Sequence, residues 1–109
     1  MISKELLEII KKLNLNLDEK FSEAKLNKKE KILASCVKMS EEIWELSGEV
    51  LKSIWRARKE KIQNFSKDDL KWEFADSILT ILLLAELMEI DVNEALEMKL
   101  KKIENRWGV

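Results

Sequence analysis

Apolar residues recur every three or four positions along most of the chain, which is the spacing of an amphipathic α-helix. This pattern predicts helices over residues 3–13, 27–61, 67–89 and 92–106. The stretch 14–27 remains open between a brief helical turn around residues 18–24 and a mobile loop over a site. The 109 residues include no proline and two glycines, a composition that favours helices over sheets. We therefore expect one all-α domain over residues 1–109, built as a four-helix bundle.

Three of the predicted helices begin with a pair of polar residues at capping spacing. Asn27 precedes Glu30, Ser66 precedes Asp69, and Asp91 precedes Glu94, each by three positions. The first member of such a pair accepts a hydrogen bond from a backbone N–H that the helix leaves unpaired. These pairs therefore predict where the second, third and fourth helices start.

The second half of the third helix is apolar around nearly its whole circumference. A small four-helix monomer seldom covers one helix so completely, so the pattern predicts a homodimer or homotetramer with its interface on this helix. The residues concerned are Ile78, Leu79, Ile81, Leu82, Leu83, Leu84, Leu87 and Met88.

Charge and cysteine content exclude several classes of partner and compartment. The formal net charge is -1, from 20 basic and 21 acidic residues, so a nucleic-acid polymer or a membrane surface is not an expected partner. The longest apolar stretch, residues 78–85, is far shorter than the roughly 20 residues of a membrane span. Cys36 is the single cysteine and has apolar neighbours, which predicts a buried thiol. We expect a cytoplasmic protein.

Two pairs of carboxylates lie within helices that are otherwise rich in apolar residues. Glu42 and Glu45 belong to the second predicted helix, and Glu73 and Asp76 belong to the third. Residues three apart project from one helical face, with Cβ atoms about 5 to 6 Å from each other. The second and third helices are joined by a short link and should pack antiparallel, so the two pairs can face each other. This arrangement predicts a shared cation.

The chemistry of these four residues narrows the identity of the cation. Carboxylate oxygens without histidine or thiolate ligands suit a hard cation, for which we expect Mg²⁺, with Mn²⁺ as the alternative. Because Mg²⁺ accepts phosphate oxygens as further ligands, a phosphate ester or anhydride is the natural substrate. The basic end of the fourth helix offers candidates for binding the phosphates, namely Lys99, Lys102 and Arg106.

The order of these motifs resembles that of the MazG-like nucleotide pyrophosphohydrolases. The run Glu41-Glu42-Ile43-Trp44-Glu45, followed by Glu73-Phe74-Ala75-Asp76, is similar to the EExxE and ExxD signature of that family. The resemblance continues through the apolar third helix to Lys99 and the Arg106-Trp107 ending, which is similar to the ending of the dCTP-pyrophosphatase-like branch.

The resemblance implies an all-α fold related to the helical dUTPases and Mg²⁺-dependent cleavage of nucleoside triphosphates to monophosphate and pyrophosphate. It further implies that the two acidic pairs are the metal ligands and that the cell uses the activity to remove unwanted deoxynucleotides. Glu41 or Glu45 is the candidate for orienting or deprotonating the attacking water.

The motifs say least about how the base of the substrate is recognised. Ile103 and Thr80 stand where the dCTP-pyrophosphatase-like branch usually has asparagine and tyrosine, so base and sugar recognition can differ from that branch. Phe21, Trp44 and Trp55 are the aromatic candidates for stacking on the base, although large aromatics on helices more often pack in a core or an interface.

Two other classes compete with the hydrolase. A ferritin-like di-iron bundle also uses carboxylates on facing helices, but its Glu-x-x-His ligands are impossible in a chain without histidine. A noncatalytic helical interaction module, such as a toxin-antitoxin partner or a scaffold, remains the alternative. In that case Glu73 and Asp76 would pair with lysines, and Mg²⁺ would leave the stability unchanged.

Overall fold

The computed structural model describes residues 1–58 and 66–109, and over these residues the chain contains helices and no strand. This confirms the all-α class. The elements are α1 (Lys4–Lys20), a 3₁₀ turn (Ser22–Ala24), α2 (Lys28–Arg58), α3 (Lys67–Leu87) and α4 (Val92–Trp107). Within the described part of the chain, no helix is both long and apolar enough to cross a membrane.

The predicted caps are confirmed at all three helix starts. The Asn27 side chain accepts a hydrogen bond from the Glu30 N–H at 2.9 Å, and the Glu30 carboxylate accepts one from the Asn27 N–H at 3.2 Å. Ser66 accepts from the Asp69 N–H, and Asp91 accepts from the Glu94 N–H. The predicted end of the second helix at residue 61, and most of the break at 63–67, lie outside the described residues.

The first helix is longer than predicted, because α1 continues to Lys20 rather than ending near residue 13. Its extension carries Asn14, whose side-chain amide donates hydrogen bonds to the Leu83 carbonyl and to the Glu86 carboxylate. These bonds to α3 compensate the free-energy cost of burying the polar Asn14 side chain. The 3₁₀ turn then follows, and Lys25 leaves it in the left-handed conformation at a φ of 50°.

The core lies where α3 packs against both α1 and α2. Ile10 of α1 and Leu82 of α3 are its buried large apolar side chains among the described residues. Glu42 of α2 lies opposite Ser77 of α3. Glu49 lies later in α2, and its charge raises the pKa of Glu73, which lies earlier in α3. The two helices therefore run antiparallel, as predicted. The open side of α3 carries Ile78 and Ile81, which are 50% and 44% exposed, so the protomer does not cover α3 on all sides.

The fourth helix packs extensively against none of the other described helices. It is held near the start of the chain by Asn93, which exchanges two hydrogen bonds of 2.9 Å with the backbone of Ile2. The radius of gyration is 17.5 Å, whereas a compact domain of this length has about 13 Å. The chain is therefore open, and much of its apolar surface faces solvent.

Cys36 is exposed, so the prediction of a buried thiol is wrong. Its apolar neighbours Leu33 and Val37 are themselves 57% and 63% exposed. The prediction failed because α2 has apolar residues on two sides, and α3 covers a single one of them.

Candidate metal centre between α2 and α3

Three carboxylates converge where α2 packs on α3. Glu42, Glu73 and Asp76 each present an oxygen, and the three oxygens lie within 4.8 Å of one another. Glu42 comes from α2, while Glu73 and Asp76 come from one face of α3. Glu42 is buried, Glu73 is half-buried and Asp76 is exposed, so the acid cluster formed by these three residues opens towards solvent on the Asp76 side.

The register that brings these residues together is held by the Ser77 hydroxyl of α3. The Ser77 hydroxyl donates a hydrogen bond of 3.2 Å to the main-chain carbonyl of Glu42, and both residues are buried. One turn further on, the Thr80 hydroxyl donates to the Ser77 carbonyl at 2.9 Å. Ser77 therefore ties the backbone of α2 to α3 at the residue after Asp76.

Two oxygens of the acid cluster lack a hydrogen-bond partner. Oε2 of Glu42 and Oε2 of Glu73 are both buried without one. Leaving a charged acceptor buried and unpaired is costly. Burial raises the pKa of the Glu73 carboxyl, and the negative charges of Glu45, Asp76, Glu42 and Glu49 raise it further. The cluster thus concentrates more negative charge than its protein neighbours neutralise.

Lys38 supplies a positive charge beside the cluster. Its Nζ lies 3.1 Å from Oε1 of Glu42 and 3.5 Å from Oε2 of Glu41. The hydrogen bond and charge of Glu42, followed by the charge of Glu41, raise the pKa of the Lys38 ammonium. The Lys38 side chain is 60% exposed, so this ion pair lies at the rim of the cluster and leaves Oε2 of Glu42 without a partner.

The remaining acidic candidates lie beside this cluster. Glu45 is near enough to raise the pKa of Glu73, but it is not among the three carboxylates that converge. Glu41 is exposed and pairs with Lys38. The two acidic motifs therefore meet as predicted, with three of the four proposed ligands in the closest group.

The basic candidates are placed elsewhere. Lys99, Lys102 and Arg106 are exposed on α4. The Arg106 guanidinium lies over the ring of Trp107, 5.6 Å from its centre. In the part of the chain that the structure describes, none of the three pairs with a carboxylate of the cluster, so their role in binding phosphate stays a prediction.

A groove with a volume of about 800 Å³ runs between α1, the 3₁₀ turn, α2 and α3. Lys38 lines it, so the groove adjoins the acid cluster. An ion pair of 3.1 Å between Lys31 and Asp18 connects α2 with α1 at the groove. Of the aromatic candidates, Phe21 lines the groove, whereas Trp44 and Trp55 are not among the described residues that line it.

Sequence reasoning missed the part that four polar residues play in shaping this region. Asn14 lies one turn after the buried Ile10 on the same face of α1, a signal that its side chain also points inwards. Ser77 and Thr80 interrupt the apolar third helix in the same way, and both are buried. Lys38 carries a weaker signal, since a lysine four residues before a glutamate is common on exposed helix faces.

The donor set fits a hard divalent cation. It offers carboxylate oxygens alone, which are the ligands that Mg²⁺ and Mn²⁺ prefer. The two buried oxygens without a partner need a positive charge or a donor, and the exposed Asp76 leaves a side on which water or phosphate oxygens can complete the coordination.

The sequence matches no protein-family model, no curated protein and no solved structure. Evidence for a function therefore comes from the chain's own residues.

Proposed function

We propose that the chain is a Mg²⁺-dependent nucleoside triphosphate pyrophosphohydrolase, which cleaves (d)NTP to the monophosphate and pyrophosphate. The observation that carries the proposal is the convergence of Glu42, Glu73 and Asp76, with buried oxygens on Glu42 and Glu73 that have no partner. The order of the EExxE and ExxD motifs along the chain supports the same activity. Removal of unwanted nucleotides in the cytoplasm is the cellular role that we propose with it.

Each acidic residue has a distinct role in this proposal. Glu42, Glu73 and Asp76, with Glu45 beside them, would hold the cation. When bound there, Mg²⁺ supplies polarisation of the phosphoryl oxygens and neutralises the charge of the departing pyrophosphate. Glu45 or Glu41 would orient the attacking water and accept its proton, since both lie at the edge of the acid cluster.

The groove is the proposed site for the nucleoside part of the substrate. Its volume of about 800 Å³ is within the range of about 300 to 1,000 Å³ that is usual for small-molecule pockets. Phe21 offers an aromatic ring at its edge, and Lys38 lies where the groove meets the cluster. A nucleotide lying in the groove would thus place its phosphates beside the carboxylates and the Lys38 ammonium.

The test is pyrophosphate release from a panel of canonical and modified nucleoside triphosphates with Mg²⁺. We expect release of pyrophosphate with the matching monophosphate, and its loss in Glu45→Gln and Asp76→Asn. Asp68→Asn is the matched control, because Asp68 lies on the same helix but is exposed and pairs with Lys71.

Three outcomes would contradict parts of the proposal. Release of single phosphates would retain a hydrolase but exclude cleavage between the α and β phosphates. Equal loss of activity in Asp68→Asn would show that the losses do not report on the acid cluster. A folded protein that cleaves nothing, and whose stability is unchanged by Mg²⁺, would favour the noncatalytic interaction module.

A further inference from the structure

The side of α2 that faces away from α3 carries a row of exposed apolar side chains. We call this row the outer stripe; it consists of Leu33, Val37, Trp44, Leu51 and Ile54. Its members recur at multiples of about 3.6 residues, so they share one side of the helix. They are 57%, 63%, 80%, 56% and 52% exposed, respectively. α2 therefore has an apolar side that no other described part of the chain covers.

Small residues lie among these large ones. Ser40 and Ser47 fall between Val37 and Leu51, and both donate their hydroxyls to carbonyls of their own helix, at Cys36 and Ile43. A Cβ added at Gly48, next to the stripe, would meet nothing within 4 Å. The backbone of α2 is thus accessible at its middle, and another helix can approach it closely there.

The chain as a whole exposes more surface than a compact monomer would. The chain has an accessible surface of 9154 Å², whereas a compact monomer of this mass exposes about 6,300 Å². The difference of about 2,900 Å² per chain exceeds the roughly 800 Å² that each partner buries in a standard interface, and it also exceeds the roughly 1,000 to 2,500 Å² per partner that is usual in obligate homodimers. A surface of this size on a small chain needs a partner that is always present, and a second copy of the chain meets that condition.

We propose that the outer stripe of α2 is a homodimer interface, in which a second copy of this chain covers Leu33, Val37, Trp44, Leu51 and Ile54. The stripe follows α2, whose 31 residues extend for about 46 Å, so the contact is long and centred near Trp44. It differs from the interface predicted on the third helix. It also does not depend on what the acid cluster binds.

The interface lies directly behind the acid cluster. Trp44 is two residues from Glu42, which places the two side chains about 200° apart around the helix. One side of this turn would contact the second copy, while the other side carries a carboxylate of the cluster. Dimerisation would therefore hold α2 from the side opposite to α3.

The experiment measures the solution mass of the full chain by sedimentation equilibrium over a range of concentrations. We expect twice the 12.8 kDa of one chain, or a higher even multiple. Trp44→Glu and Leu51→Glu should weaken self-association at least about 30-fold, as expected when a central interface residue is lost. Trp72→Glu is the matched control, since Trp72 is 68% exposed but lies on α3, and it should leave the mass unchanged.

Circular dichroism shows whether each variant remains helical. If a glutamate variant loses its helicity, Leu33→Gln and Ile54→Gln, near the two ends of the stripe, replace it as milder probes. A monomeric native chain would overturn the proposal, and so would folded stripe variants with the native mass. Dissociation by Trp72→Glu alone would place the interface on α3 and would overturn it as well.

Discussion

At Glu42 and Trp44, the two sides of α2 reverse the usual distribution of polar and apolar side chains. Towards α3, Glu42 is only 8% exposed, whereas Trp44, two residues later on the opposite side, is 80% exposed. A buried carboxylate without a full set of partners and a large exposed apolar row are both costly for an isolated chain. Our two proposals would relieve these costs separately, with a cation on one side of α2 and a second chain on the other.

The cation and the second chain should stabilise the protein in response to different concentrations. A cation that binds the folded chain stabilises it according to the free metal concentration, and about a hundredfold excess over the dissociation constant adds about 2.7 kcal/mol. A second chain stabilises it according to the protein concentration. The two sides of α2 can therefore be tested separately.

The largest expected effect comes from measuring both the response to Mg²⁺ and the solution mass for one variant on each side of α2. Glu42→Gln removes a carboxylate from the acid cluster, so it should abolish the rise in melting temperature on addition of Mg²⁺ while the solution mass stays native. Trp44→Glu should lower the mass while folded protein still gains stability from Mg²⁺. Differential scanning fluorimetry and sedimentation check both variants, and loss of both properties in each would show that the two sides are not independent.

Dilution of the native chain should lower its melting temperature. A second copy that binds only the folded chain stabilises it by mass action, so a hundredfold dilution should lower the melting temperature by about 5 to 10 °C. Scanning fluorimetry at a fixed, saturating Mg²⁺ concentration measures this shift. A melting temperature that is independent of concentration would mean that the outer stripe stays uncovered.

Glu73 should make the metal-free protein less stable as the pH rises. Its pKa is higher in the folded chain than the unperturbed value of 4.5, because it is partly removed from solvent and lies near other carboxylates. The folded state therefore holds this proton more tightly, and stability falls as the pH rises from about 4.5 through the raised pKa. Glu73→Gln should remove this loss and be more stable than the native chain at neutral pH.

Urea unfolding in EDTA at a series of pH values tests this effect, with Glu104→Gln on α4 as the control. The advantage of Glu73→Gln should shrink below pH 4.5, where Glu73 is protonated in both states. The same pH dependence in the native chain and in Glu73→Gln would contradict the expectation.

The smallest expected effect concerns the ion pair at the rim of the cluster. Lys38→Met removes the ammonium that competes with a cation for Glu42, so Mg²⁺ should bind about two- to fivefold more tightly, as suits a partly exposed pair. Isothermal titration with Mg²⁺ alone measures this change. Lys71→Met, which breaks an exposed pair with Asp68, should leave the affinity unchanged. Weaker binding in Lys38→Met would mean that Lys38 positions the Glu42 carboxylate.

The helices and the meeting of the acidic motifs could be predicted because they depend on local signals. Capping pairs such as Asn27 and Glu30 mark helix starts through bonds between residues three apart. The spacing of Glu73 and Asp76 on one helical face needs no knowledge of the rest of the fold. Antiparallel packing of α2 and α3 could be expected from the short link that the sequence predicts between them.

The rest depends on contacts between distant residues. The extension of α1 past residue 13 is stabilised by hydrogen bonds from Asn14 to Leu83 and Glu86, which lie far along the chain. Periodicity also could not identify which apolar side of α2 is covered, so Cys36 was wrongly placed in the core. Apolar spacing predicts that a side chain has a partner, but it does not identify the partner.

The Asn14 amide gives the groove a defined hydrogen-bonding polarity. Both protons of its nitrogen are engaged by the Leu83 carbonyl and the Glu86 carboxylate, so the group left for a ligand is the carbonyl oxygen. At this point the groove can accept a hydrogen bond but cannot donate one. The groove would therefore distinguish molecules of the same shape by the group that they present to Asn14. An N–H or O–H group could donate to its oxygen, whereas a second carbonyl could not.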